Sequence, residues 1–146
     1  MSLESLYQEL ILDHSKARDG YGLADDEAPT ATSHQHNPVC GDDITLRVRL
    51  SADGGAVRDV TWEGSGCSIS QASASMLTGL VDGMPRAEAS ALIDGFRTAL
   101  RSRGTVPLDE ETFGDAAALS GVSKYTARVK CAMLAWVALE DALARA

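Results

Sequence analysis

The chain has 146 residues and a net charge of −8 at neutral pH, and 45% of its residues are hydrophobic and 23% charged. This length fits a single domain over residues 1–146, and the composition is that of an ordinary folded protein. No basic face indicates nucleic-acid binding, and no apolar run approaches the ~18 residues of a membrane span. Because no signal peptide is visible either, we expect a cytoplasmic protein that binds neither nucleic acid nor membrane.

The first part of the chain predicts a helix and then a hairpin. Apolar residues recur at helical spacing over about 2–14, and a glycine-containing loop follows. A short edge strand is predicted at 32–36, and the alternation over 43–50 predicts a half-buried strand. A tight turn at 53–55 then leads to a partner strand at 57–62.

The rest of the chain is predicted to be mostly helical. Gly64-Ser65-Gly66 is expected to end the strand, and Ser123 is the expected N-cap of the last helix. The predicted segments are helices at about 67–81, 85–101, 115–119 and 123–144, and a loop at 105–114. Helix, hairpin and then helices predict an α+β domain, in which helices pack on one face of a small antiparallel three-stranded sheet.

Two cysteines lie where the backbone bends. Cys40 precedes Asp42 by two residues, so that a thiolate and a carboxylate can converge on one point. Cys67 lies where a strand passes into a helix, and the unpaired N–H groups of a helix N-terminus stabilise a thiolate. Plain turns around small buried residues are the alternative interpretation of both settings.

Cys131 lies on the last helix in locally basic surroundings. Arg128 is three residues before it on the same helical face, and Lys124 and Lys130 are close in sequence. A nearby cation favours the thiolate, whereas a core cysteine on a buried helix is the simpler alternative.

The three cysteines are best explained together, as ligands of one metal ion. Zinc takes four ligands in a tetrahedron, mostly from Cys and His and less often from Asp. The residues that fill such a set are Cys40, Asp42, Cys67 and Cys131. His34 and His36 compete for the fourth position, whereas His14, near the end of the first helix, is expected to be a surface residue that faces the helix dipole. An Asp ligand is unusual in a purely structural zinc site, and a site that must open tolerates it.

Three segments carry a resemblance to a known family. They are Asn-Pro-Val-Cys-Gly-Asp at 37–42, Gly-Ser-Gly-Cys-Ser-Ile-Ser at 64–70 and Ala-Arg-Val-Lys-Cys-Ala-Met-Leu-Ala-Trp at 127–136. Together they resemble the signature segments of the IscU/SufU (NifU N-terminal-like) family of iron–sulfur cluster assembly proteins. The resemblance covers nearly the whole chain.

Within that family the chain resembles the SufU branch. Lys130 stands where IscU-type scaffolds carry a histidine, and the stretch at about 101–120 resembles a SufU-type insertion. Thr126 departs from the proline common at that position in SufU-type members, which we expect to alter only the local turn.

The resemblance implies one zinc ion per chain on the four residues named above, with Cys40 as the sulfur acceptor. It implies a SufS-type PLP-dependent cysteine desulfurase as partner, and downstream SUF cluster-assembly proteins. Docking on the desulfurase is expected to free Cys40 from the metal, so that it takes the persulfide sulfur. Arg128 is a candidate for orienting Asp42 or the freed thiolate, and a plain surface or packing role is the alternative. The chain would thus be a sulfurtransferase-like acceptor, not a stand-alone enzyme, and a monomer or weak dimer.

Two alternatives stay open. In the first, the chain is a scaffold that assembles iron or a [2Fe–2S] cluster on the same ligands, although Lys130 removes one candidate ligand. In the second, the zinc is structural and the surface binds a partner, although the Asp42 ligand and the loop position of Cys40 argue against it.

Overall fold

The fold begins with a helix, continues with an antiparallel sheet and ends with helices. The structure, a computed structural model, describes residues 3–26, 29–38 and 41–146. Within these residues the elements are α1 (Leu3–Ala17), β1 (Thr30–Asn37), β2 (Asp42–Leu50), β3 (Val57–Ser65), α2 (Ser68–Val81), α3 (Arg86–Arg101), α4 (Glu110–Phe113), a 3₁₀ helix (Gly114–Lys124) and α5 (Thr126–Arg145). The predicted α+β class is confirmed.

The three strands of the described chain form one sheet in the order β1-β2-β3, and both pairings are antiparallel. Along β2, buried residues alternate strictly with partly exposed ones, as the predicted period of two requires. Asn37 pairs with Asp42 and His36 pairs with Asp43. The connection between β1 and β2, which contains Cys40, therefore leaves from one end of the sheet.

The core lies between the buried face of the sheet and the helices. α5 packs across β1 and β2, and α2 contacts both β3 and α5. Small residues such as Ala132 and Ala135 are fully buried and let the helices approach closely. The rings of Phe96 and Trp136 stack, with their centroids 3.8 Å apart. In the described ranges, no helix is both long and apolar enough to cross a membrane.

Strand β3 is longer than predicted. It runs on to Ser65, although Gly64-Ser65-Gly66 was expected to break it. A Cβ built at Gly64 would lie 1.9 Å from the carbonyl oxygen of Asp43, and the φ of Gly64 is +146°. Glycine here permits a close backbone approach inside the sheet, and β3 continues past it to Ser65.

The predicted loop at 105–114 is wrong in its second half. Asp109 caps helix α4 by accepting a hydrogen bond from the N–H of Glu111 at 3.1 Å. The predicted helical turn at 115–119 is part of the longer 3₁₀ helix. Ser123 is not the N-cap of α5, because it lies inside that 3₁₀ helix and its hydroxyl donates to the carbonyl oxygen of Ser120. The N-cap is Tyr125.

Candidate metal centre

Asp42 is the first residue of β2, and the sheet register directs it inward. It shares the buried face with Ile44 and Leu46, and none of its surface is exposed. A buried carboxylate needs hydrogen bonds or a cation to offset its lost hydration. Asp42 is therefore a buried carboxylate that needs a partner, at the end of an otherwise apolar strand face.

Cys67 lies beside Asp42 at the start of α2. It is the N-cap residue, and its backbone N–H donates to Oδ1 of Asp42 at 2.9 Å. Its Sγ lies 4.0 Å from Oδ2 of Asp42 and 3.9 Å from the hydroxyl of Ser70. Cys67 thus lies at a helix start, as the sequence predicted. It is exposed to solvent.

Cys131 lies on α5, on the side of the helix that is buried in the core. It is only 3% exposed, and its Sγ lies 3.7 Å from the carbonyl oxygen of Ala127. Buried hydrogen bonds hold α5 against α2: the hydroxyl of Ser73 donates to the carbonyl oxygen of Ala132 at 2.6 Å and accepts from Nε1 of Trp136 at 2.9 Å. The relative positions of the two cysteine-bearing helices are therefore set by the core.

The three donor groups converge. One ligand atom each of Asp42, Cys67 and Cys131 lies within 4.8 Å of the other two. Zinc–sulfur bonds of about 2.3 Å and zinc–oxygen bonds of about 2.1 Å in a tetrahedron place neighbouring sulfur and oxygen ligands about 3.6 Å apart. The 4.0 Å between Cys67 Sγ and Asp42 Oδ2 is close to that separation. The donor set therefore fits zinc if its ligand atoms, which lie within 4.8 Å of one another, draw closer by up to about 1 Å.

The carboxylate of Asp42 is already oriented for such a role. Oδ1 accepts the backbone hydrogen bond of Cys67, and Oδ2 faces its sulfur. Hydrogen bonds of this kind fix metal-binding carboxylates in position. Gly66 makes room for the arrangement, because a Cβ there would lie 2.3 Å from Oδ1 of Asp42 and 2.5 Å from the hydroxyl of Ser70.

Cys40, the fourth predicted ligand, lies outside the described residues. The chain on either side of it is described, with Asn37 and Asp42 paired at the end of the sheet. Its membership of the ligand set therefore stays a prediction.

The competing histidines lie elsewhere. His34 and His36 are on the other face of the sheet from Asp42 and both approach Asp43, at 2.7 and 3.6 Å. The prediction that His14 faces solvent is wrong, since its side chain is only 15% exposed. Its ring nitrogens lie 2.7 Å from the Ser75 hydroxyl and 2.9 Å from a carboxylate oxygen of Asp115.

The basic residues near Cys131 are at the surface. Lys124, Arg128 and Lys130 are all exposed, and the guanidinium of Arg128 lies over the ring of Tyr125 at 5.2 Å. Among the described residues, no hydrogen bond or ion pair joins Arg128 to Asp42. The orienting role of Arg128 stays a prediction.

Comparison with known proteins decides the family. The model of the NifU-like N terminal domain matches residues 6–144, which include every residue of the cluster. The chain belongs to this family. Its members include the IscU and SufU proteins, so the resemblance noted in the sequence is confirmed.

Individual relatives agree with this assignment. The zinc-dependent sulfurtransferase SufU of Bacillus subtilis is 40% identical over 144 residues, which cover 99% of this chain and 93% of that protein. The iron-sulfur cluster assembly scaffold protein IscU of Streptococcus pyogenes is 38% identical over 143 residues, 98% of this chain and 86% of that protein.

A solved structure shares the fold of this family member. It is described as a putative iron-sulfur cluster assembly scaffold protein for the SUF system from Fervidobacterium islandicum AW-1. The two chains superpose with a TM-score of 0.83 at 30% identity, covering 97% of this chain and 99% of that one. The three-stranded sheet with helices on one face is thus the architecture of the family.

Two residues that position the ligands, Ser70 and Ser73, were not predicted from the sequence. Ser73 has no metal-binding chemistry, and its part in joining α2 to α5 depends on packing between distant segments. Ser70, three residues after the N-cap, carried a local signal as a hydroxyl in the first turn of α2.

Proposed function

We propose that this chain is a zinc-dependent sulfur-transfer protein of iron–sulfur cluster assembly, which accepts persulfide sulfur on Cys40 from a SufS-type cysteine desulfurase. The convergence of Asp42, Cys67 and Cys131 is the observation that carries the proposal. Cys40 precedes Asp42 by two residues, so it joins the same site if the connection turns inward. The relative named a zinc-dependent sulfurtransferase adds support.

Cys40, Asp42, Cys67 and Cys131 are the residues that would hold the ion. When bound, zinc supplies positive charge that keeps sulfur ligands as thiolates near neutral pH. Asp42 is already buried and oriented, and Cys131 is anchored on α5. Iron or a [2Fe–2S] cluster would use the same donors in the alternative considered below.

The acceptor role falls to Cys40 because of its place in the chain. Cys131 is 3% exposed and out of reach of a partner's active site, and Cys67 is tied to Asp42 through its backbone. Cys40 instead lies between Pro38 and Gly41, both exposed, in the connection between two strands. Because the described residues on both sides of it are exposed, Cys40 is the cysteine that a partner would reach first.

The transfer step is a thiol–disulfide exchange. The thiolate of Cys40 attacks the terminal sulfur of the desulfurase persulfide, a new sulfur–sulfur bond forms on Cys40, and the bond within the partner's persulfide breaks. The partner's cysteine leaves as a thiolate, and the proton on the terminal sulfur stays with the sulfur that is transferred. No external oxidant or reductant is needed.

A scaffold function is the second candidate, because other relatives carry that name. In it, iron and sulfur are the cargo assembled on the same cysteines. Lys130 directly precedes Cys131, at the position where IscU-type scaffolds carry a histidine, and it is exposed to solvent. Because a cluster would lose that candidate ligand, Lys130 favours sulfur transfer. In both functions the chain acts with a cytoplasmic cysteine desulfurase and downstream assembly proteins.

Turnover of a SufS-type desulfurase with cysteine, measured with and without this chain, tests the proposal. We expect the zinc-loaded chain to stimulate turnover, and Cys40→Ala and Asp42→Asn each to lose at least nine-tenths of the stimulation. Asp42→Asn keeps the size of the side chain but removes its charge, and Glu63→Gln, at an exposed position on the other face of the sheet, is the matched control.

Full stimulation by Cys40→Ala would contradict the proposal. Zinc content is measured on every variant, so that loss of metal is separated from loss of the acceptor. A stable cluster formed by anaerobic reconstitution and passed to an apo-protein, with no stimulation of turnover, would favour the scaffold instead.

A further inference from the structure

A pocket of about 340 Å³ lies where the end of α1 meets the start of α2. Residues 64–66 form one part of its wall, Ser68 and Gln71 of α2 form another, and Ser15 and Arg18 complete it. Among these described residues Arg18 alone is charged, and its charge is positive. The pocket therefore differs from the surface of the protein as a whole, which carries a net charge of −8.

Gln71 presents an amide to this pocket without a protein partner. The residue is only 8% exposed, and its side chain makes no hydrogen bond within the residues that the structure describes. Long side chains on a helix run back toward the helix N-terminus, so the amide lies over the first turn of α2, beside Ser68. A buried amide needs partners for its N–H groups. A ligand in the pocket can supply the acceptor.

The start of α2 adds further hydrogen-bond donors. The first N–H groups of a helix have no partner within the helix, and the N-cap residue Cys67 makes no capping hydrogen bond with its side chain. The hydroxyls of Ser65 and Ser68 make no hydrogen bond with any other described residue, and both residues are exposed. Because α2 is 14 residues long, the positive end of its dipole favours a negative charge here.

Arg18 supplies a full positive charge at the pocket wall. Its guanidinium carbon lies 4.1 Å from the ring centroid of Tyr21, and the hydroxyl of Tyr21 lies 3.5 Å from the carbonyl oxygen of Gly64. The neighbouring carboxylate, Asp19, approaches His14 instead, at 3.8 Å. Among the described residues Arg18 forms no ion pair, so its charge is available to a ligand.

We propose that this pocket binds a phosphate group. A guanidinium, an amide and an uncapped helix N-terminus are donors that suit phosphate oxygens, and no carboxylate lines the pocket among the described residues. The volume holds a phosphate together with a small organic group. The site is separate from the candidate metal centre, because Asp42, Cys67 and Cys131 do not line it.

The test titrates inorganic phosphate into the full zinc-loaded chain, with chloride at equal ionic strength as the reference anion. Amide signals are followed by NMR. We expect saturable shifts of the side-chain amide of Gln71 and of the backbone N–H of Ser68, and none of Gly79, farther along α2. Glycerol 3-phosphate is titrated in parallel. Tighter binding of this monoester assigns the phosphate group to an organic ligand, and weaker binding assigns it to free phosphate.

Arg18→Gly has a close control in Arg103→Gly. The two are exposed arginines with positive φ, 47° and 55°, so glycine removes the same charge from the same kind of backbone conformation. Arg103 does not line the pocket. Arg18→Gly should weaken phosphate binding about tenfold, the cost of a lost charge-assisted hydrogen bond, and Arg103→Gly should leave it within about twofold.

Gln71→Leu tests the buried amide. It keeps the size of the side chain and suits a helix, so the fold should stay intact, which circular dichroism checks. We expect phosphate binding to weaken about fivefold, because one neutral hydrogen bond is lost.

Three results would overturn the site: no saturable shift of the Gln71 amide, equal phosphate affinity in Arg18→Gly and Arg103→Gly, or wild-type affinity in Gln71→Leu. A zinc-free sample is titrated as well. Shifts that require zinc and survive both pocket variants would place the phosphate on the metal and likewise overturn the proposal. The inference does not rest on the proposed function, since a chain that accepts no sulfur still reports phosphate through the amide signals.

Discussion

At the scale of one residue, Gly66 packs tightly against the candidate metal centre. Its Cα faces both Oδ1 of Asp42 and the hydroxyl of Ser70, with no room for a methyl group. Asp42 has little freedom to retreat, because it is fully buried at the end of β2. A side chain at position 66 must therefore displace the carboxylate or the first turn of α2.

Gly66→Ala should consequently weaken the site. We expect zinc affinity to fall at least tenfold and the free energy of unfolding to fall by about 1–3 kcal/mol, the usual cost of overpacking. Competition with a chromophoric chelator and urea unfolding measure the two quantities.

Gly79→Ala is the matched control for this substitution. Gly79 lies on the same helix, α2, and a Cβ there meets nothing within 4 Å. It should leave zinc affinity unchanged and raise stability by about 0.5–1 kcal/mol, because alanine favours a helix interior. Equal zinc affinity in Gly66→Ala and wild type would show that Asp42 is not constrained as described.

At the scale of elements, an ion pair joins β2 to β3 away from the metal centre. Arg49 and Asp59 are directly opposite in the register, and Nε of Arg49 donates to Oδ1 of Asp59 at 2.9 Å. Hydrogen bonding from Arg49 holds the pKa of Asp59 below its ordinary value of 3.8. The charged form of Asp59 is therefore stabilised by folding.

This pair predicts a pH-dependent effect of Asp59→Asn. The stabilisation is fully present above the ordinary carboxyl pKa and is lost as the pH falls through the lowered pKa of the folded state. At pH 7 the variant should be less stable by at most about 1 kcal/mol, since solvent screens a partly exposed pair. Thermal unfolding from pH 7 down to pH 3 checks that the difference between the two proteins shrinks below pH 3.8. A constant difference would contradict the assigned cause.

Local sequence signals predicted the elements best where glycine or proline marks a boundary. Helix α3 was predicted to within one residue at each end, and Pro85 marks its start. Helix α4 was missed although Asp109 is a good cap, because four residues are too few to show a period. Ser123 is not the N-cap because the 3₁₀ helix continues through it to Lys124, so that α5 begins only after Tyr125.

At the scale of the whole molecule, the sequence predicted the local settings of the candidate ligands better than how they meet. The settings of Cys67 and Cys131 pointed to a helix start and a buried helix, and both are confirmed. Their convergence with Asp42 depends on the sheet register and on the contact between α2 and α5, which join residues far apart in the chain. Local patterns carry no information on such long-range contacts. The surroundings of His14 were mispredicted for the same reason.

The most direct test of sulfur transfer is the position of the transferred sulfur. The zinc-loaded chain is incubated with a SufS-type desulfurase and limiting cysteine, quenched by alkylation, digested without reductant and analysed by mass spectrometry. We predict one additional sulfur on the peptide that contains Cys40, with Cys67 and Cys131 unmodified, and no additional sulfur on the Cys40→Ser variant. Sulfur on Cys67 instead, or an unmodified chain after full turnover of the cysteine, would contradict the account.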